Sequence, residues 1–444
     1  METITNGNVE ATFQHLLELE PKLISSMVPA NDQEEKNLFL AGEHRLPEHT
    51  YPNLAIDDEK LEAIRQIGDA ILADPRLDPK HEVVYREFVE GYLRKTRLMQ
   101  HAYRTKAAST DEERENAKRD FMELNVELYG APDRETYTSL FQEKLHVIKQ
   151  KNLSSIAADI HEELLALVPA QYVEQGATSE RYRPSSETIE WMQSAVNTLY
   201  GSMLEHVPDK ESFNVDEVRD IFDTILRKEF GEAAEGWRID VEPATSINVK
   251  GPEKRVVIPE DRGELPREIV EQLVVHELGV HVMRAITGGQ TDIGPLQTGL
   301  NEYYDAEEGL GKIMEQALRG NFIEAGVDHY ITAGLATFDD KDFRDAYEIK
   351  WRLGLLDMLT DEEEVTEAIV ANARKVAYTG VMRIYRGTDE LPWYKDLAYY
   401  NGSVETWKFL EKIKGDDFRL TLLLMGKTNV SDEHLRVLLE SKSV

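Results

Sequence analysis

Residues 266–289 read PREIVEQLVVHELGVHVMRAITGG. Pro266 suits the first turn of a helix and Gly288-Gly289 its end. Between them Ile269, Val270, Leu273, Val274, Val275, Leu278, Val280, Val282 and Met283 make most of the helical surface apolar. A helix of that composition is predicted to be buried. Inside it sit His276, Glu277 and His281, and burial makes polar groups without partners costly. Something polar or metallic is expected to meet them.

In the zinc-protease motif H-E-x-x-H the histidines are four apart, about 40° around an α-helix of 3.6 residues per turn, so both reach one metal. Here they are five apart, about 140° in a regular helix. A one-residue π-bulge restores the overlap, and such bulges are frequent at functional sites. We therefore expect a local widening at Leu278 to Val280, eased by Gly279. The competing reading is two helix histidines satisfied by backbone or carboxylate neighbours. His161-Glu162, with Leu165 and Ala166 where a second histidine belongs, is rejected.

A catalytic zinc site takes three protein ligands and keeps a fourth position open, so a carboxylate is needed next. The segment from Gly299 to Gly311 begins the following helix and offers Glu307 and Glu308. Helical spacing favours Glu307, because the apolar stripe Tyr303, Leu310, Ile313, Met314 and Ala317 passes closer to it.

Around this centre the chain reads as helices with one sheet. From about Ala11 to Gln150 the apolar period is helical, and Tyr129-Gly130-Ala131-Pro132-Asp133 is a helix stop followed by a turn. The stretch Val168 to Ser186, with Pro169, Gly176 and Pro184, is the expected linker. Its boundary near Arg183 separates residues 1–182, an N-terminal helical region, from residues 183–444. Two helical runs follow, Ser186 to His206 and Asn214 to Phe230. Short β-branched runs at Arg238–Val241, Ser246–Val249 and Arg255–Ile258 are then expected to form a small antiparallel sheet. Its hairpin, Ser246 to Ile258, offers an edge strand to a substrate backbone.

The composition excludes whole classes. The chain has 444 residues, 41% hydrophobic and 30% charged, with a formal net charge of −33. A phosphate backbone or anionic membrane would be repelled, so no nucleic acid and no membrane partner is expected. With no cysteine there is no disulfide, thiolate ligand or Cys nucleophile, and any metal must use His, Asp or Glu. Met1 to Glu20 carries Glu2, Glu10, Glu18 and Glu20 and no apolar core, so a cytoplasmic protein is expected. Gly426-Lys427-Thr428 is like the end of a phosphate-binding loop, but Thr421 stands where the first glycine belongs.

His276-Glu277-Leu278-Gly279-Val280-His281 followed by Glu308-Gly309-Leu310 resembles the tyrosine carboxypeptidase family of metallopeptidases. That family is typified by the microtubule-associated tyrosine carboxypeptidase, and its bacterial relatives are described as flavohaemoglobin expression-modulating QEGLA-motif proteins. Pro29-Ala30-Asn31 with Glu34-Glu35-Lys36 and Phe39, Leu128 to Pro132, Tyr385-Arg386-Gly387, Lys395 to Tyr399 and Gly402 are similar to further landmarks of the family. The likeness runs from about residue 20 to 410. It implies zinc held by His276, His281 and Glu308, with Glu277 as general base. Where the family reads Q-E-G-L-A, this chain has Glu307-Glu308-Gly309-Leu310-Gly311, so the carboxylate is kept while both flanks differ.

The expectation is an α+β, mainly helical protein: a zincin-like metallopeptidase domain with a small antiparallel sheet and an N-terminal helical region. Its function would be zinc-dependent hydrolysis near the C-terminus of a peptide or protein. A carboxypeptidase needs a cation for the terminal carboxylate, and Arg suits by its fork geometry, so Arg386 is selected from Arg383, Arg386 and Lys395. Tyr303, Tyr304, Tyr385 and Tyr399 are candidate donors to the oxyanion. The acidic tubulin tail is not carried over, since a chain of charge −33 attracts it only through a locally basic cleft. The competing class is a non-catalytic metal-containing regulatory protein.

Overall fold

In the computed structural model, which describes residues 9–19, 23–174, 181–244, 246–300 and 303–441, the apolar run of residues 267–289 is one continuous helix. It starts as an α-helix at Arg267–Leu273, becomes a π-helix over Val274–Val282 and returns to α over Met283–Gly289. The widening spans nine residues rather than the single bulge expected, and its last bond runs from Met283 N–H to the Leu278 carbonyl. Pro266 stands just before the helix, with ψ 148°, instead of inside its first turn. There Leu265–Pro266 forms a short strand against Ser212–Phe213.

The main sheet has three strands, β1 (Arg238–Glu242), β2 (Asn248–Lys250) and β3 (Arg255–Pro259), in the order β1-β3-β2. The predicted hairpin is present, with β2 antiparallel to β3. The all-antiparallel expectation is overturned, because β1 pairs with β3 in parallel register, Arg238 opposite Arg255. The reason lies in burial. Val256, Val257 and Ile258 are 0–1% exposed while every residue of β1 is at least partly exposed, so β3 takes the centre and the chain passes over it between β1 and β2. The central strand has both edges paired, which leaves β1 and β2 as the edges of this sheet.

Apart from this sheet and the Ser212–Phe213 and Leu265–Pro266 pair, the regular elements among the described residues are helices, and the helix ends follow local chemistry. Gly130 ends the helix Asp111–Tyr129 at φ 71°, and Asp133 caps the next by accepting from Thr136 N–H. Asn214 and Glu217 form a reciprocal capping box at the start of Val215–Glu229. Residues 175–180 of the expected linker lie outside the described residues.

Three apolar cores hold the helices together, and each draws on both sides of position 183. The largest surrounds the histidine helix, where Val274, Val275, Leu278 and Val282 pack with Phe88, Tyr200, Phe222, Ile258, Leu310 and Trp407. A second gathers Phe39, Tyr137, Phe141, Trp351, Tyr378 and Tyr385. The third is Met27, Leu54, Met99, Phe121 and Trp393. At roughly 1.5–3 kcal/mol for each fully buried large apolar side chain, these contacts rather than helix propensity hold the frame. A polar knot also ties the early chain to the late one: Asp389 accepts from Tyr51 Oη at 2.6 Å and lies 2.9 Å from His49 Nδ1.

One tightly packed helix pair carries a consequence for the site. Helix Tyr303–Leu318, bearing Glu307 and Glu308, lies against helix Ala398–Lys412. A Cβ on Gly402 would clash with the Asp305 carbonyl oxygen, and one on Gly309 with the Gly402 carbonyl oxygen. Backbone meets backbone there, so no rotamer change makes room. Gly402→Ala is expected to destabilise the protein by about 1–3 kcal/mol, read as a lowered denaturant midpoint; an unchanged midpoint would refute the close crossing.

Candidate metal centre

The π geometry brings the two imidazoles together. The rings of His276 and His281 have centroids 4.8 Å apart at 74°, and one ligand atom from each of His276, Glu277 and His281 lies within 4.8 Å of the others. In a helix with i→i+5 bonds, residues five apart occupy successive turns of one face, as residues four apart do in an α-helix. Gly279 serves this arrangement differently from the expectation. Its backbone has no unusual φ; instead an added Cβ would stand 2.6 Å from the Tyr200 ring, whose hydroxyl donates to the Gly279 carbonyl at 3.0 Å.

Each imidazole is oriented by a carboxylate behind it. His276 Nδ1 lies 2.6 Å from Glu315 Oε1, and His281 Nδ1 lies 2.9 Å from Glu307 Oε1. A carboxylate accepts from Nδ1–H, which leaves the lone pair of each neutral ring on Nε2. Burial works against charge on His276, yet the Glu315 hydrogen bond and the negative charges of Glu277 and Glu315 together raise its pKa. Burial likewise pushes the Glu277 carboxyl up, against the pull of the two histidines, and Glu308 pushes it further. Gly311 keeps the space in front of His276 clear, because a Cβ there would stand 2.7 Å from His276 Nε2.

The donor set fits a divalent metal. Two buried imidazoles whose Nδ1 atoms are engaged by carboxylates, the Glu277 carboxylate in the same close group and a cleared cradle at Gly311 suit a divalent ion that takes imidazole and carboxylate ligands. The adjacent glutamates separate by environment. Glu307 is 3% exposed and saturated by His281, Arg284 and Lys427, the last at 2.9 Å. Burial opposes its charge, but Lys427, Arg284 and His281 hold it well below the usual carboxylate range. Glu308 is only partly buried, and its charge acts on Glu277, Lys395, Tyr304 and Tyr399. It lies outside the close group formed by His276, Glu277 and His281.

Beyond Glu308 three cations converge on one carboxylate. Arg383 Nε is 2.8 Å, Lys395 Nζ 3.7 Å and Arg386 Nη2 3.9 Å from the Asp396 carboxylate, which is 1% exposed. Lys395 donates to the Tyr304 hydroxyl, and burial pulls its pKa down to about 8. Arg386 stacks 4.7 Å over Trp393, and its buried Nε has no hydrogen-bond partner among the described residues. Arg383 reaches the Tyr399 hydroxyl at 3.3 Å. Three positive side chains on a single Asp make this corner locally basic in a strongly acidic protein.

Of the tyrosines expected as donors, Tyr304 and Tyr399 have hydroxyl pKa values raised by burial and raised further by the charge of Glu308, whereas the Tyr385 hydroxyl is bonded to the Lys341 carbonyl. Glu315, Arg284, Asp396 and Lys427 escaped the sequence reading. Glu315 had a usable signal, lying two helical turns beyond Glu308 on the same face. Lys427 had none, since its partner Glu307 is far away in the chain, whereas Asp396 lies close in sequence to Arg383, Arg386 and Lys395.

Among the described residues no helix is long and apolar enough to cross a membrane. No curated protein matches the chain. A family model described as microtubule-associated tyrosine carboxypeptidase matches residues 363–443. That segment carries Arg383, Arg386, Lys395, Asp396 and Lys427, and ends beyond the helix Asp432–Glu440. Residues 363–443 thus match the same family that the histidine helix resembles, the tyrosine carboxypeptidases.

Proposed function

We propose that this protein is a cytoplasmic zinc-dependent metallopeptidase with a zincin-like catalytic frame, acting as a carboxypeptidase on the C-terminus of a peptide or protein. The observation that carries the reading is the buried pair His276 and His281 on one π-helical face, each backed by its own carboxylate, with Glu277 within 4.8 Å of both. A purely structural histidine pair, already satisfied by Glu315 and Glu307, has no use for a third buried carboxylate in the same group. The match to a carboxypeptidase family over residues 363–443 supports the same reading.

His276, His281 and Glu308 would hold the zinc, which when bound would supply Lewis acidity toward a water and the scissile carbonyl. The remaining work belongs to side chains. Glu277 takes a proton from the water and returns it to the leaving amine, so the peptide bond is cut without a covalent enzyme intermediate. Tyr304 and Tyr399, which feel the charge of Glu308, would donate to the developing oxyanion. The cations Arg383, Arg386 and Lys395 bind the substrate's terminal carboxylate, with Arg386 contributing the donor left without a partner. Their local excess of positive charge also removes the objection that net charge raises against an anionic terminus.

Elemental mass spectrometry tests the centre directly. The wild-type chain is expected to carry about one zinc, and the His276→Ala, His281→Ala double variant none. Peptides with free C-termini are expected to be cleaved and their C-terminal amides spared. A chain that takes up no zinc when supplied with it would sink this reading.

A further inference from the structure

Arg284 lies one turn beyond His281 on the histidine helix and is 0% exposed. Its Nε donates to the Gly426 carbonyl at 2.9 Å and its Nη2 to the Thr428 carbonyl at 2.6 Å, while Nη1 donates to Glu307 Oε2. Lys427, between those two carbonyls in the chain, returns to the same glutamate: Nζ is 2.9 Å from Glu307 Oε1, the oxygen that faces His281 Nδ1. The Gly426-Lys427-Thr428 turn is itself bound to residues before the glutamate helix, through Lys427 N–H to Leu296 O at 2.8 Å and Leu300 N–H to Lys427 O at 2.9 Å. The three residues excluded as a phosphate loop are thus fastened, at the far end of the chain, behind a metal ligand.

Charge explains why position 307 carries Glu in place of the family's Gln. A carboxylate accepts on both oxygens, so Oε1 can serve His281 and Lys427 while Oε2 serves Arg284. An amide has one accepting end; its NH₂ would face either Arg284 or the imidazole and Lys427, donor against donor. With two buried cations there, the neutral side chain would also leave both uncompensated.

We infer that Arg284, Glu307 and Lys427 form one positioning unit that holds the Nδ1 proton of His281 and aims its Nε2, so that the turn at residues 426–428 sets the metal affinity of a helix more than a hundred residues earlier. The inference rests on the reading of His281 as a metal ligand. None of the three is a catalytic residue, since each acts through the imidazole. Partners of this kind tune affinity by orienting a ligand and raising its basicity.

The test compares full-length wild type with Glu307→Gln, Lys427→Met and Lys427→Arg in zinc competition against a chromogenic chelator, with thermal unfolding of the metal-free proteins alongside. Glu307→Gln and Lys427→Met are expected to bind zinc about 10- to 100-fold more weakly, and Lys427→Arg to recover most of the loss. A merely structural role would lower the unfolding temperature and leave the affinity of the folded fraction alone. Ring ¹⁵N spectra of the metal-free wild type supply the second readout, with His281 expected as the Nδ1–H tautomer. Folded variants within about twofold of wild-type affinity would overturn the inference, as would an Nε2–H tautomer. If no protein in the series, wild type included, bound zinc, the metal reading would fall, and the tautomer would still decide whether the unit orients His281.

Discussion

Replacing Glu277 by glutamine is expected to leave the metal content unchanged and to lower kcat by about 10²–10⁴-fold on any peptide the protein cleaves. The two side chains have the same shape, so the 7% exposed pocket at position 277 stays filled and the neighbouring imidazoles keep their carboxylates Glu315 and Glu307. What glutamine lacks is basicity. It can hold a water by hydrogen bonding, but it takes no proton from the water and returns none to the amine. Because the loss falls on the chemical step, KM should change little. A variant that turns over at the wild-type rate would remove Glu277 from the mechanism. One that also loses its metal would make Glu277 a ligand instead of a base.

The second large effect separates two adjacent glutamates. Glu307→Ala is expected to destabilise the fold by about 3–5 kcal/mol, because it strands Arg284 and Lys427, 0% and 7% exposed, without their shared counter-ion. Glu308→Ala removes a partly buried carboxylate that is no cation's sole partner, so stability should move by less than about 1 kcal/mol while bound zinc is lost. Denaturant titration and metal analysis on the two variants read these quantities separately. A folded Glu308→Ala that still carries its zinc would remove Glu308 from the ligand set.

That contest shows where the sequence stops being informative. Apolar periodicity placed Glu307 on the buried face, and it is indeed buried; periodicity carries nothing about which buried groups wait there. Arg284 arrives from another helix and Lys427 from a turn late in the chain, and together with His281 they engage both oxygens of Glu307. The same limit governs the sheet. Three β-branched runs marked three strands, but which one sits in the middle depended on which buried the most apolar surface against the helices, and that made one pairing parallel.

Other features were written locally. Histidines five apart on an apolar run demanded a widened helix, since only i→i+5 geometry stacks them on one face, and the π segment at Val274–Val282 meets that demand. Gly130 as a helix stop was legible for the same reason: backbone conformation and neighbouring residues within a short stretch determine it. The basic corner belongs to the other category. Arg383, Arg386, Lys395 and Asp396 lie close in sequence, yet their relation to Glu308, on a helix some ninety residues earlier, exists only because Gly309 and Gly402 let two backbones touch. By itself, then, the sequence determined the helices, the strands and the pair of imidazoles, because those depend on spacing and short-range sterics. Tertiary structure alone decided which carboxylates stand behind each imidazole and where the positive charge gathers, because Coulombic partners are chosen by distance in space, across chain separations that no local pattern records.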